Sequence, residues 1–273
     1  MWDNFFEKFG SVVSKYYMQL LSGLKTTLII AFSAFAIGVV LGTIIAIVKV
    51  TPKYRNWFLK ILEKIFDVYV TVVRGTPVVV QLLLMYFGLL AGSMLTSTES
   101  GTMFIAIIVF GLNSAAYQSE FIRGALLSVD KGQLEAGRAL GLSYSTSMLR
   151  IVIPQAVKSV IPTMGNELIT LLKDTSVAGY IAVIDITFAV QRIVARNYMA
   201  LVDYMILAVV YLVIVLIVTL LLKIIEKQLR KSDSRNVVTR KKVSDKNLAA
   251  ANAVTVCGKT AENKTNDGGE TNE

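Results

Sequence analysis

Long apolar stretches alternate along the chain with short polar stretches, and this alternation predicts a helical membrane protein. A transmembrane helix needs about 20 mostly apolar residues to cross the hydrocarbon core of a bilayer. Five stretches meet or approach that length, namely residues 26–48, 58–90, 102–126, 157–182 and 204–222, of which the fourth is the weakest. We therefore predict an all-α integral membrane protein with five transmembrane helices.

The second stretch is longer than one span and contains a break. The sequence RGTP occupies residues 74–77. Pro77 has no amide N–H and should bend a helix at this point. We predict one kinked span whose first part can lie at the membrane interface.

The polar segments divide the chain into three regions. Residues 1–20 read as an amphipathic lead-in without a signal-peptide cleavage site, and residues 21–228 contain the five spans. Residues 229–273 are rich in Lys, Asn, Thr, Asp and Gly and have no apolar periodicity. Such a composition cannot bury a core, so we predict a disordered tail.

The distribution of basic residues predicts the orientation of the spans. The chain carries a formal charge of +9, and 17% of its residues are charged against 54% hydrophobic. Lys and Arg concentrate after the first, third and fifth spans. Because cytoplasmic loops are enriched in Lys and Arg, we expect the N-terminus outside and the C-terminus in the cytoplasm. In this setting the charge reports loop topology and lipid contact, and we expect no nucleic-acid partner.

Several kinds of chemistry are excluded by what the sequence lacks. It contains no histidine, which removes His-ligated metal sites and catalysis by Ser-His or Cys-His pairs. The single cysteine, Cys257, cannot form an internal disulfide. No GxxxxGK[ST] phosphate loop is present, so we expect the chain itself to bind neither ATP nor another cofactor.

The cytoplasmic segment at about residues 128–156 is amphipathic and predicts a helical hairpin. Gly141 can take the left-handed conformation that ends a first short helix. Ser143 or Ser145 can cap a second short helix, which we expect to stop at Pro154. From this pattern alone, a hairpin that merely ties the third span to the fourth remains open.

The residues of this hairpin resemble a known loop. Glu135, Ala136, Gly137, Gly141 and Pro154 are spaced as in the "EAA" loop of the permease subunits of ABC importers. Further segments look like the polar-amino-acid branch of that family: RGTPVVVQL at 74–82, NSAAYQSEFIRGAL at 113–126 and GNELITLLKDTSVAG at 165–179. The resemblance covers roughly residues 15–228.

The resemblance implies a fold, a function and partners. It implies a type I importer permease in a bacterial inner membrane that carries a polar amino acid. In that family the loop docks on a dimer of separate ATPase subunits, which bind ATP and Mg. The resemblance also implies a second permease subunit, identical or homologous, and an extracellular solute-binding protein that largely sets specificity. In the loop, Glu135 would make charge-assisted hydrogen bonds, Ala136 and Gly137 would permit close approach, and Gly141 would set the turn.

Polar groups inside the spans are the candidates for a substrate pathway, because such groups are costly in lipid. On the third span these groups share one helix face. On the fourth span they form two pairs, with the two members of each pair seven residues apart, and two hydroxyl residues follow. Arg74 and Gln81 flank the break in the second. The set comprises Asn113, Tyr117, Glu120, Asn166, Glu167, Lys173, Asp174, Thr175, Ser176, Arg74 and Gln81.

We interpret this set as the lining of a hydrated cavity near the bilayer midplane, between two permease subunits. Two alternatives remain open: a polar seam between helices on the third span, and a Glu-Lys-Asp charge cluster that holds the bundle together on the fourth. Gly38 and Gly42 have GxxxG spacing and predict a close approach of two helices.

Two other function classes compete with an ABC permease. A stand-alone secondary amino-acid transporter would typically show inverted repeats and more spans. A membrane enzyme would need a catalytic constellation, and the sequence offers none. An adjacent gene for a Walker-type ATPase would decide how transport is energised.

Overall fold

The computed structural model describes residues 2–51 and 57–228, and these residues form helices without any strand. The helices are α1 Trp2–Val50, α2 Trp57–Gly75, α3 Val78–Leu83, α4 Glu99–Ser128, α5 Lys131–Ala139, α6 Tyr144–Ser147, α7 Ile153–Asp174, α8 Ile186–Asn197 and α9 Ala200–Gln228. All packing described below lies within the compact unit that ends at Leu222. The predicted disordered tail lies outside the described residues.

Short turns of other helix types extend several of these elements. The π-helical turn Leu84–Leu89 continues α3, and a second one, Met148–Val152, joins α6 to α7. The 3₁₀ turn Met94–Ser97 precedes α4, and the 3₁₀ turn Thr175–Ile181 follows α7. The chain therefore stays helical through most of its predicted connections.

The described helices agree with the predicted spans. Three of them are long and apolar enough to cross a membrane (α1, α4 and α9), and the number rises to five if each of two bent pairs is one span. The pair Trp57–Gly75 and Val78–Leu89 bends by 107°, and the pair Tyr144–Ile181 and Ile186–Asn197 bends by 53°. The RGTP segment thus breaks the second span far more sharply than the kink we predicted.

Helix α4 lies at the centre of the bundle and packs closely against α1. A Cβ on Gly38 would lie 2.7 Å from Ser114 Oγ, and one on Gly42 would lie 3.1 Å from the carbonyl oxygen of Ala115. Only glycine permits this separation of the two helices, so the close approach predicted from the GxxxG spacing is confirmed. Helix α1 itself runs unbroken through the predicted boundary at residue 20.

The expected helix stop at Pro154 is wrong. Ile153 has helical dihedrals (φ −58°, ψ −45°), and Pro154 lies in the first turn of α7. The preceding π-turn explains this, since the amide of Ile153 donates to the carbonyl of Met148, five residues earlier. The wider turn changes the hydrogen-bond register just before the proline, which has no N–H to contribute.

Helix α8 lies on the first half of α1. Its apolar face consists of Ile186, Ala189, Val190 and Ile193 and is buried. A Cβ on Gly23 would lie 2.9 Å from the Asp185 carbonyl oxygen, and Thr27 Oγ1 accepts a 3.1 Å hydrogen bond from the Ile186 amide. These contacts fix the start of α8 against α1.

Candidate functional site

A polar cavity of about 390 Å³ lies where the broken second span meets α4 and α7. Four of its lining residues come from the end of α2 and the break, one from α3, two from α4 and three from α7. They are Arg74, Gly75, Thr76, Pro77, Val78, Asn113, Tyr117, Glu167, Thr170 and Asp174. Five of the predicted pathway residues thus meet at one cavity within a single chain: Arg74, Asn113, Tyr117, Glu167 and Asp174.

Gln81 holds the break in shape and reaches the cavity wall indirectly. Its Nε2 donates to the carbonyl oxygen of Val73 at 2.8 Å and to Thr76 Oγ1 at 2.9 Å, across the break. Its Oε1 accepts a 3.1 Å hydrogen bond from Asn113 Nδ2. Since Asn113 directs its Nδ2 at Gln81, its side-chain oxygen remains as the acceptor for the cavity.

Glu167 lies at the start of a buried hydrogen-bonded chain. Its carboxyl oxygen Oε1 accepts a 3.1 Å hydrogen bond from Ser114 Oγ. Ser114 Oγ in turn accepts a 2.8 Å bond from Gln118 Nε2, which also contacts the carbonyl oxygen of Phe35 at 3.4 Å. The chain runs from the cavity to the α1–α4 contact at Gly38. Glu167 is 8% exposed, so few solvent contacts compete with Ser114.

The cavity is lined by more acidic than basic side chains. Two lining residues carry carboxyl groups, Glu167 and Asp174, and one carries a guanidinium, Arg74. Arg74 lies over the ring of Tyr117, with 5.2 Å between its Cζ and the ring centroid. A ring at this distance stabilises the cation and restricts its position. The cavity can therefore receive a carboxylate at Arg74 and a cationic group at the two acids.

The remaining predicted residues of the fourth span lie elsewhere. Asn166 and Lys173 are exposed and do not line the cavity. Thr175 is fully buried and donates to the carbonyl oxygen of Leu172, and Ser176 is half-buried away from the cavity wall. Among residues 2–51 and 57–228, the ion pairs do not include Lys173, and the alternative of a Glu-Lys-Asp cluster stays a prediction.

Glu120 takes part in a separate charge network. Its Oε1 lies 2.7 Å from Lys49 Nζ, and its Oε2 lies 2.7 Å from Arg123 Nη2. Lys49 Nζ also lies 2.7 Å from Asp67 Oδ1. The network joins α1, α2 and α4 and places Glu120 outside the cavity.

Thr170 and Thr76 line the cavity and were missed by the sequence argument. Thr170 lies three residues after Glu167 and four before Asp174, which puts all three on one face of α7. Helical spacing could have found it. Thr76 could be assigned only once the geometry of the break was known.

The predicted helical hairpin is present, with a complete capping motif at its turn. Gly141 has φ +83°, and its amide donates to the Arg138 carbonyl at 3.0 Å. The amide of Leu142 donates to the Gly137 carbonyl at 3.1 Å, which completes a Schellman motif. Ser143 Oγ then accepts from the Thr146 amide and caps α6. The predicted left-handed glycine and the predicted serine cap are both confirmed.

The two small residues of the hairpin face opposite ways. Gly137 is buried, and a Cβ there would lie 2.8 Å from Ile151 Cδ1 and 2.9 Å from Ser147 Oγ. Glu135 and Ala136 are exposed, and Leu140 is 82% exposed at the tip. Gly137 thus lets the two arms of the hairpin pack together, and the other three residues lie on its outward surface.

Comparison with known proteins identifies the family. Residues 38–231 match the family described as binding-protein-dependent transport system inner membrane component. The chain is 36% identical over 214 residues to the arginine transport system permease protein ArtQ of Bacillus subtilis (strain 168), covering 78% of this chain and 94% of that protein. It is 33% identical over 230 residues to the L-cystine transport system permease protein TcyL of the same strain, covering 83% and 94%.

A solved structure shows the same fold. The crystal structure of an amino acid ABC transporter with histidines matches with a TM-score of 0.70 at 35% identity, covering 79% of this chain and 96% of that one. The all-helical architecture is that of a type I importer permease. The chain belongs to the family of inner membrane components of binding-protein-dependent transport systems.

Proposed function

We propose that this chain is the permease subunit of an ATP-driven importer of a polar amino acid. The observation that carries the proposal is the cavity, where residues far apart in sequence place a guanidinium and two carboxyl groups inside a helical bundle. An amino acid offers the matching pair of a carboxylate and an ammonium. The relatives are named for arginine and L-cystine transport, which supports the same substrate class.

The charge count favours a substrate with a second cationic group. Arg74 can pair with the α-carboxylate of the substrate, and one carboxyl group can pair with its α-ammonium. The other carboxyl group then remains for a cationic side chain. We assign one of these two contacts to Glu167, whose position Ser114 fixes, and the other to Asp174, which is less buried.

ATP hydrolysis is assigned to a separate pair of ATPase subunits that bind ATP and Mg. The hairpin 128–156 is the docking element, with Glu135, Ala136 and Leu140 on its outward surface. A second permease subunit, identical or homologous, and an extracellular solute-binding protein complete the transporter. The basic loops support an extracellular N-terminus and a cytoplasmic C-terminus in a bacterial inner membrane.

Import into proteoliposomes that contain the full complex tests this proposal. We expect ATP-dependent uptake of a labelled basic amino acid, with weaker competition by neutral and acidic ones. Glu167→Gln should reduce uptake and its preference for cations, whereas Asn166→Ala, at the exposed neighbouring position outside the cavity, should not. Uptake driven by an ion gradient without ATP would instead identify a secondary transporter. Full uptake with unchanged selectivity in Glu167→Gln would show that the cavity is not part of the substrate pathway.

A further inference from the structure

A second polar crevice, of about 240 Å³, lies between α1 and α8 and shares no lining residue with the cavity. It is lined by Gln19, Ser22, Ile184, Ala189, Arg192 and Arg196. Two guanidinium groups thus face a space bordered by an amide and a hydroxyl, and none of the described residues that line it is acidic. We propose that this crevice binds the phosphate group of a phospholipid headgroup.

No ion pair among the described residues neutralises the charge of the crevice. Arg192 and Arg196 lie one helical turn apart on α8, and both are exposed. Neither takes part in an ion pair with any residue in the described part of the chain. Lys25, three residues after Ser22 on α1, adds a third exposed cation nearby. Guanidinium groups bind phosphate oxygens through paired hydrogen bonds, which amide and hydroxyl donors can supplement.

The depth of the crevice matches the phosphate layer of a bilayer. The apolar stretch of α1 begins at Thr26, four residues after Ser22 and seven after Gln19. At about 1.5 Å per residue, the two side chains start roughly 6–10 Å outside the hydrocarbon edge. The headgroup region on each side of a bilayer is about 5–8 Å thick. The Ser22 end of the crevice therefore lies at the level of the headgroup phosphates, whichever side of the membrane it faces, and the longer arginine side chains can reach that level from further out.

The walls of the crevice are fixed before any ligand arrives. Gly23 brings the α1 backbone against Asp185 and Ile186, and Thr27 accepts a hydrogen bond from the Ile186 amide. Helix α8 is therefore held on α1 at the end that precedes both arginines. Because the backbone that carries the arginines is already held, only their side chains have to be ordered on binding, which favours retention of one headgroup over loose attraction to an anionic surface.

Lipid binding to the purified full-length chain in detergent tests the proposal. We expect phosphatidylglycerol to raise the thermal unfolding temperature and to remain bound in native mass spectrometry. The double variant Arg192→Gln/Arg196→Gln should lose most of the temperature shift and weaken lipid retention by roughly tenfold or more. The matched control Lys8→Gln/Lys15→Gln removes two exposed cations from α1 outside the crevice and should retain both effects.

Three outcomes would overturn the proposal. Equal lipid retention in the double variant and the control would show that the crevice is not the site. An equal stabilisation of the unmodified chain by inorganic phosphate, with no further effect of lipid, would identify a free anion as the ligand. Loss of affinity for the solute-binding protein with unchanged lipid retention would identify the crevice as a protein contact. Because both arginines are exposed, the variant should unfold at the unmodified temperature when no lipid is added.

Discussion

Ser114 Oγ donates a 3.1 Å hydrogen bond to Glu167 Oε1 and so joins α4 to α7 beside the cavity. Ser114 is fully buried, and its hydroxyl has one proton, which it gives to the carboxyl group. The lone pairs of the same oxygen accept the amide of Gln118. A buried carboxyl group needs such a partner, and this bond leaves Oε2 of Glu167 for a ligand. Ser114 therefore acts as a positioning residue for Glu167.

Replacing Ser114 should impair substrate binding more than assembly. Ser114→Ala removes the donor to Glu167, and a hydrogen bond to a charged group contributes about 1.5–3 kcal/mol. We expect the KM for import to rise on the order of tenfold, with a smaller change in kcat, because the carboxyl group loses its fixed direction. Initial rates of uptake over a range of substrate concentrations measure this effect.

The matched control for that experiment is Ser119→Ala on the same helix. Ser119 is also buried, but among the described residues its hydroxyl bonds only to the Ala116 carbonyl within α4. We expect an unchanged KM in this variant. If both variants lower the unfolding temperature and neither changes the KM, Ser114 is a structural residue only.

The network around Lys49 should stabilise the bundle without affecting selectivity. The side chains of Lys49 and Glu120 are 11% and 16% exposed, whereas that of Asp67 is 52% exposed. Breaking a buried pair costs about 3–5 kcal/mol, while an exposed pair contributes about 0–1 kcal/mol. We expect Glu120→Gln to lower the free energy of unfolding by much more than Asp67→Asn does.

Unfolding of the purified chain in detergent measures the loss of stability in the two variants. Competitive uptake measures the selectivity of Glu120→Gln. Glu120 does not line the cavity, so Glu120→Gln should keep the order of preference among basic, neutral and acidic amino acids. A changed order of preference would show that Glu120 belongs to the substrate pathway. Equal destabilisation by the two variants would contradict the difference in burial.

The α1–α4 contact should be intolerant of a single methyl group. Gly38→Ala would place its Cβ 2.6 Å from Gln118 Nε2 and 2.7 Å from Ser114 Oγ, disturbing the chain that leads to Glu167. Overpacking of this kind costs about 1–3 kcal/mol. Gly124→Ala is the control, because no neighbouring atom in the described part of the chain lies within 4 Å of its Cβ and alanine favours helix by about 1 kcal/mol. Unfolding temperatures should move in opposite directions, and a common direction would contradict the contact.

The sequence predicted those parts of the site that depend on helical periodicity. Asn113 and Tyr117 share a face and both line the cavity, as their spacing of four residues indicated. Glu120 has the same phase but lies about 10 Å along α4 from Asn113, at about 1.5 Å per residue. At that distance Glu120 lies beside Lys49 and not at the cavity. Spacing fixes a direction around a helix but does not show where along the helix the cavity ends.

The parts of the site that the sequence did not predict depend on contacts between segments that are distant in the chain. On α7, polar residues lie on both sides of the helix, so the sequence could not show that Glu167 faces inward and Asn166 outward. The proline predicted a bend but not its angle of 107°, nor that the amide of Gln81 bridges the break and reaches Asn113, 32 residues away. Such pairings arise only when the bundle packs.

The turn of the hairpin should control coupling to the ATPase. Gly141 has φ +83°, a conformation that costs an L-residue about 1–2 kcal/mol and a β-branched residue more. Gly141→Val should therefore insert into the membrane but misplace the exposed Leu140 and Glu135, so that the ATPase is lost during purification or is no longer stimulated by substrate. Gly141→Asn is the matched variant, because asparagine tolerates the left-handed region and should retain most of the stimulated hydrolysis. Co-purification and substrate-stimulated ATPase activity in proteoliposomes measure both effects. If the valine variant stimulates hydrolysis as strongly as the unmodified chain does, coupling to the ATPase does not depend on the conformation of this turn.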